Sequence, residues 1–109
     1  MNELNFKDLA PIGGYTVRFK CYDESDGIKA TFHLCDKDNN EIRYRMDFEI
    51  TGTKYNSDIS NQGKPAKDTI NQKYGNIENC FKEIGIKYIK EKIQKNSLDN
   101  ETVNILTLI

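Results

Sequence analysis

Three successive runs of this chain alternate between apolar and polar residues with a period of two: "YTVRFKCY" (15–22), "IKATFHLC" (28–35) and "EIRYRMDFEIT" (41–51). Successive side chains of a β-strand point to opposite faces, so this alternation marks three half-buried strands and sorts their residues into two sets. Tyr15, Val17, Phe19 and Cys21 face inward on the first run, and Ile28, Ala30, Phe32 and Leu34 on the second. Ile42, Tyr44, Met46, Phe48 and Ile50 do so on the third. The intervening "ESDG" and "KDN" are turn sequences, with Gly27 and Asn39 suited to left-handed backbone, so the runs join as an antiparallel meander. Paired strands must match faces, because a slip of one residue would expose every apolar side chain. The expected inward rows are Phe19–Phe32–Tyr44 and Val17–Leu34–Ile42. The expected outward rows are Arg18–His33–Arg43 and Lys20–Thr31–Arg45.

The remaining segments supply helices and one more strand. "LNFKDLAP" reads as a short helical turn or an ordered lead-in that Pro11 stops, with Gly13 and Gly14 breaking the chain before the meander. After a polar loop over 51–65, Pro65 suits the first turn of a short helix, "PAKDTINQKY", which Gly75 closes. Asn76 is placed to cap a longer helix from Ile77 to about Lys95, with Glu78–Lys82, Glu83–Lys87 and Glu91–Lys95 as favourable i,i+4 pairs. Its apolar stripe shifts at Gly85, from Ile77, Cys80, Phe81, Ile84 and Tyr88 to Ile86, Ile89 and Ile93. That shift predicts a kink or burial on two sides. The β-branched end, "ETVNILTLI", reads as a fourth strand, with a terminal helix as the competing form.

The predicted class is therefore α+β: a three-stranded antiparallel meander plus a C-terminal strand, packed on one face by a long helix and one or two short ones. The order is similar in outline to the double-stranded-RNA-binding architecture with its short leading helix. The basic, lysine-rich start of that fold's second helix is absent here.

A length of 109 residues fits one domain, 1–109, with one core. Sixteen Lys and Arg against seventeen Asp and Glu leave a net charge of −1, so attraction to any partner depends on how the charges are arranged. The opening residues lack the basic head and apolar run of an export signal, and no segment is long and apolar enough to span a membrane. Three cysteines, Cys21, Cys35 and Cys80, are odd in number and show no paired spacing, as reduced thiols in a cytoplasmic protein would.

Motifs that carry chemistry are scarce. "DKDNNE" opens like a calcium loop, but Glu41 stands where that loop needs glycine and Asp47 where it needs a bidentate glutamate, so a turn is the better reading. His33 is the only histidine, and with Cys35 it offers two ligands for a metal that needs four. Neither "IGGY" nor "NQGKPAKD" has the spacing of a phosphate loop. No catalytic residue, metal site or cofactor is therefore assigned.

The arginines stand out. Arg18, Arg43 and Arg45 are the chain's full complement, and all three fall outward on the meander with Lys20, Lys29 and His33. Arginine binds carboxylate and phosphate bidentately, which lysine does not reproduce. With acidic turns bracketing this patch, the expected function is a small non-enzymatic protein that docks on a protein partner with an acidic surface, as an inhibitor, immunity-type antidote or regulatory accessory does. The alternatives are a nucleic-acid binder using the same basic face, opposed by the acidic pI and by sparse aromatics, with only Tyr22 pointing outward, and an enzyme or ligand carrier with an unrecognised site.

Overall fold

A computed structural model of the chain describes residues 6–24, 27–36, 41–51 and 66–108. Its strands are β1 (Lys7–Ile12), β2 (Tyr15–Glu24), β3 (Gly27–Cys35), β4 (Ile42–Thr51) and β5 (Glu101–Asn104). Among the described residues two helices, α1 (Ala66–Tyr74) and α2 (Ile77–Gln94), lie between β4 and β5 in the chain. The fold is α+β, with one mostly antiparallel five-stranded sheet in the order β1-β2-β3-β4-β5. β1 to β4 form an antiparallel meander, and β5 returns through the helices to lie parallel to β4. A parallel neighbour needs a crossover of a dozen or more residues, which α1 and α2 provide.

The lead-in is a strand rather than a helical turn. Gly13 and Gly14 have φ of 57° and 90°, and such a pair with positive φ makes the two-residue turn whose twist matches a hairpin. Ile12 therefore pairs with Tyr15 and Leu9 with Val17, and the register shifts between them. Pro11 falls in that irregular step of an edge strand, where its missing N–H breaks no central ladder. A strand here also removes the leading helix from the outline shared with the double-stranded-RNA-binding architecture.

β2 and β3 pair as their alternation demands, Phe19 with Phe32 and Val17 with Leu34. Gly27 opens β3 opposite Glu24 instead of sitting in the turn, while Ser25 and Asp26 lie outside the described residues. The β3–β4 register departs from expectation by two residues: Phe32 faces Met46 and Leu34 faces Tyr44. One residue of the slip comes from the longer connection, closed by Asp36 N–H donating to the Glu41 carbonyl at 3.2 Å. The other comes from a bulge, where the step from Leu34 to Cys35 spans Tyr44 to Ile42 on β4. A slip of two preserves both faces, so Tyr44, Met46, Phe48 and Ile50 still point inward. Ile42 lies beyond the bulge and is turned out to 49% exposure. Asn39 and Pro65, expected in a turn and at a helix start, lie outside the described residues.

The core lies between the sheet and the helices. Phe19, Phe32, Phe48 and Phe81 are fully buried there, with the Phe19 and Phe32 rings 4.9 Å apart and Phe48 edge-on to Phe32 at 5.5 Å. Tyr44, on the expected inward row, and Ile84, on the first helix stripe, are only partly buried, and Met46 takes the place opposite Phe32 that the register shift vacates. The Asn76 side chain caps α2 by accepting from Asn79 N–H at 2.8 Å, and Gly75 (φ 92°) ends α1 by donating to the Asn71 carbonyl at 3.0 Å. Glu78 and Lys82 close one of the expected i,i+4 pairs at 4.0 Å, and Lys7 of β1 reaches the same carboxylate at 2.6 Å. α2 runs unbroken through Gly85. Its buried line takes Cys80 and Phe81 from the first stripe and Ile89 from the second, with Gly85 joining them, while the other stripe residues are partly buried against the core.

β5 is short because Asn104 turns its side chain onto Leu106 N–H at 3.0 Å and starts a 3-10 turn over Ile105–Thr107. That turn buries Ile105. The C-terminal run is thus a four-residue strand followed by a helical turn. No helix among the described residues is long and apolar enough to cross a membrane.

Candidate functional site

The helices cover one face of the sheet, and among the described residues no helix or strand covers the other. The ladder builds this outer face in rows. Arg18, His33 and Arg45 are direct neighbours across β2, β3 and β4. Lys20, Thr31 and Asp47 form the next row, then Tyr22, Lys29 and Glu49. The row through His33 therefore takes Arg45, where the sequence placed Arg43, because of the two-residue slip at β4. Arg43 sits at the bulge beside Cys35, exposed, with no ion pair among the described residues. Lys29 stands four residues from His33 along β3, about 13 Å at strand rise. Of the six basic residues expected to act together, Arg18, His33 and Arg45 form the tight group, with Lys20 adjacent.

Phe6 and Asp8 join this face, which a helical lead-in over their segment does not predict. The usable signal was "IGGY" flanked by alternating residues, since Gly-Gly between two such runs is a hairpin sequence. Phe6 stacks on His33 with ring centroids 4.5 Å apart and planes at 21°. Lys20 Nζ lies over the Phe6 ring at 5.8 Å and over Tyr22 at 5.3 Å. The outer face is therefore less bare of aromatics than Tyr22 alone would make it.

Carboxylates are interleaved with the cations. Asp47 Oδ1 accepts from Arg45 Nε at 3.1 Å, Asp8 lies 3.9 Å from Arg18 Nε, and Glu49 lies 4.0 Å from Lys29 Nζ. The hydrogen bond from Arg45 to Asp47 holds that guanidinium further toward its charged form. His33 is shifted the other way. Burial lowers its pKa from the ordinary 6.5, the neighbouring Arg45 and Arg18 lower it further, and Asp47 opposes them. The ring is thus held neutral between two arginines. Beside it the Thr31 hydroxyl is buried without a hydrogen-bond partner among the described residues, a local cost on the order of 1–3 kcal/mol.

Elsewhere the chemistry is sparse. None of the three cysteines forms a disulfide. Cys35 is buried although its strand position faces outward, and burial pushes the Cys80 thiol up to about 11, with Glu83 adding to the effect. No group of three potential metal ligands comes together among the described residues. An open groove of about 200 Å³ lies between α2 and the C-terminal turn, lined by Ile84, Lys87, Tyr88, Glu91 and Leu108. Tyr88 at its edge donates to Glu101 at 2.9 Å, and Glu101 is also 3.8 Å from Lys92, contacts that tie β5 to α2. Comparisons with protein-family models, with curated proteins and with solved structures find no match.

Proposed function

We propose that this chain is a small, non-enzymatic cytoplasmic protein that docks on a protein partner through the outer face of its sheet, in the manner of an inhibitor, antidote or regulatory accessory. The observation that carries this reading is the interleaving of charge on that face. Arg18, Arg45 and Lys29 each stand beside a carboxylate, with Phe6 and Tyr22 among them. Such a mosaic suits a protein surface, which offers both signs and apolar patches at fixed positions. A nucleic-acid backbone presents one sign throughout, and Asp8, Asp47 and Glu49 would each meet it unfavourably.

Arg45→Ala and Arg43→Ala test this. Arg43 is unpaired among the described residues, so its loss should change stability by less than about 0.5 kcal/mol, and loss of the Arg45–Asp47 pair by at most about 1 kcal/mol. Capture of the partner from lysate on immobilised protein, with and without nuclease, should give a nuclease-resistant protein complex weakened at least about tenfold by Arg45→Ala. Unchanged binding by both variants would move the functional surface elsewhere, and loss of the complex on nuclease treatment would favour nucleic acid.

A further inference from the structure

Resting on that reading of the face, we infer that the Arg18–His33–Arg45 row is the anchor for a single carboxylate side chain of an acidic protein segment, and that His33 takes up a proton when the carboxylate arrives. The ladder places an imidazole directly between two guanidinium-bearing residues, one cross-strand step from each. Phe6 covers one face of the ring, and half-burial leaves part of it open to a ligand. Asp47 engages Arg45 through Nε, one of the five N–H donors a guanidinium carries, and Asp8 stands a long 3.9 Å from Arg18. Both arginines therefore retain donors for an incoming acceptor.

The surroundings favour one carboxylate over a run of phosphates. Around His33 stand Arg18 and Lys20 from β2, Arg45 and Asp47 from β4, Thr31 and Cys35 from its own strand, and Phe6 and Asp8 from the β1 side. Asp8 stands at the β1 end of the same row, opposite Arg18, Asp47 sits two residues along β4 from Arg45, and Glu49 follows further along that strand. A lone carboxylate centred on His33 has these acidic residues only at its two sides, whereas a chain of phosphates crossing the face meets Asp8, Asp47 and Glu49 in turn.

Proton uptake follows from the same geometry. In the free protein the flanking arginines and burial disfavour imidazolium. A carboxylate beside the ring supplies the opposite charge and raises the pKa of His33 in the complex. Binding therefore strengthens as pH falls through the window between the raised value and the lowered free one. It weakens again only when the ligand carboxylate itself is protonated.

Because His33 is the only histidine, its ring resonances can be followed by NMR without ambiguity. The probe is a blocked oligoglutamate peptide, compared with inorganic phosphate and with a single-stranded oligonucleotide. The expected result is a rise of about one unit or more in the His33 pKa with the peptide. The rise should be abolished by Arg45→Gln and retained by Arg43→Gln, which lies off the row. An unmoved His33 pKa at high peptide concentration would overturn the anchor, as would an equal or larger rise with the oligonucleotide. If the peptide shifts outer-face amides but leaves His33 unmoved, docking through the face survives and the anchor does not. His33→Gln provides the control: its peptide affinity should be independent of pH between about 6 and 8, where wild-type affinity is not.

Discussion

At Gly85 the α2 backbone lies directly against the Phe32 ring. A Cβ added there would collide with the Phe32 ring and touch Phe48 at 3.4 Å. In an exposed helix, exchanging glycine for alanine gains about 1 kcal/mol of propensity. Here the methyl would have to displace a fully buried aromatic ring, which costs typically 1–3 kcal/mol and outweighs that gain. Gly85→Ala should therefore lower stability in urea, and a more stable variant would mean that the two layers stand further apart. His33 titrates differently in the folded and the unfolded chain. Its folded pKa lies below the ordinary 6.5, so the unfolded chain takes up a proton first as pH falls. The contribution is complete above about pH 6.5 and is lost on descent toward the folded pKa. His33→Gln should remove this slope, visible as a difference between the two stability profiles over about pH 5–7.5. Parallel profiles would show that His33 titrates alike in both states.

At the scale of elements, the hairpin of β1 and β2 depends on two glycines for different reasons. Gly14 has φ of 90° with nothing within 4 Å of an added Cβ, so Gly14→Ala suffers backbone strain alone, about 1–2 kcal/mol. At Gly13, φ is 57° and the added Cβ would also come within 2.9 Å of Ile93 on α2. Gly13→Ala should destabilise more than Gly14→Ala, and Ile93→Ala should narrow the gap between them by making room. Thermal melts of the three single variants and the Gly13→Ala/Ile93→Ala double variant form the test, and equal losses from the two glycine variants would remove Ile93 from the account. The same hairpin shows how local signals compete. Pro11 resembles a helix stop, but Gly-Gly between alternating runs specifies a two-residue turn, and the turn prevails because β2 offers β1 a ladder.

Across the whole molecule, Phe32 joins sheet and helix. It packs on Phe19 of β2 and Phe48 of β4 and lies beneath Gly85 of α2. Phe32→Ala should cost about 3–5 kcal/mol, a large share of the stability of a domain this size. Far-UV circular dichroism should show helix and sheet melting together at a lower temperature. A loss below about 1 kcal/mol, or helix and sheet melting apart, would mean that the core is not shared in this way.

Local pattern was enough to place the faces of β2, β3 and of β4 from Tyr44 onward, the Asn76 cap, the Gly75 stop and the extent of α2. Each of these rests on residues within a few positions of one another, where pleat, cap and propensity act without the rest of the chain. Tertiary structure alone decided which outward residues become neighbours. Alternation cannot distinguish a register from one displaced by two, since both keep Phe48 and Ile50 inside. The β3–β4 connection and the bulge made that choice, and they set Arg45 opposite His33. The parallel pairing of β5 was likewise beyond local pattern, because it requires both helices to be laid across the sheet before Glu101–Asn104 can meet β4.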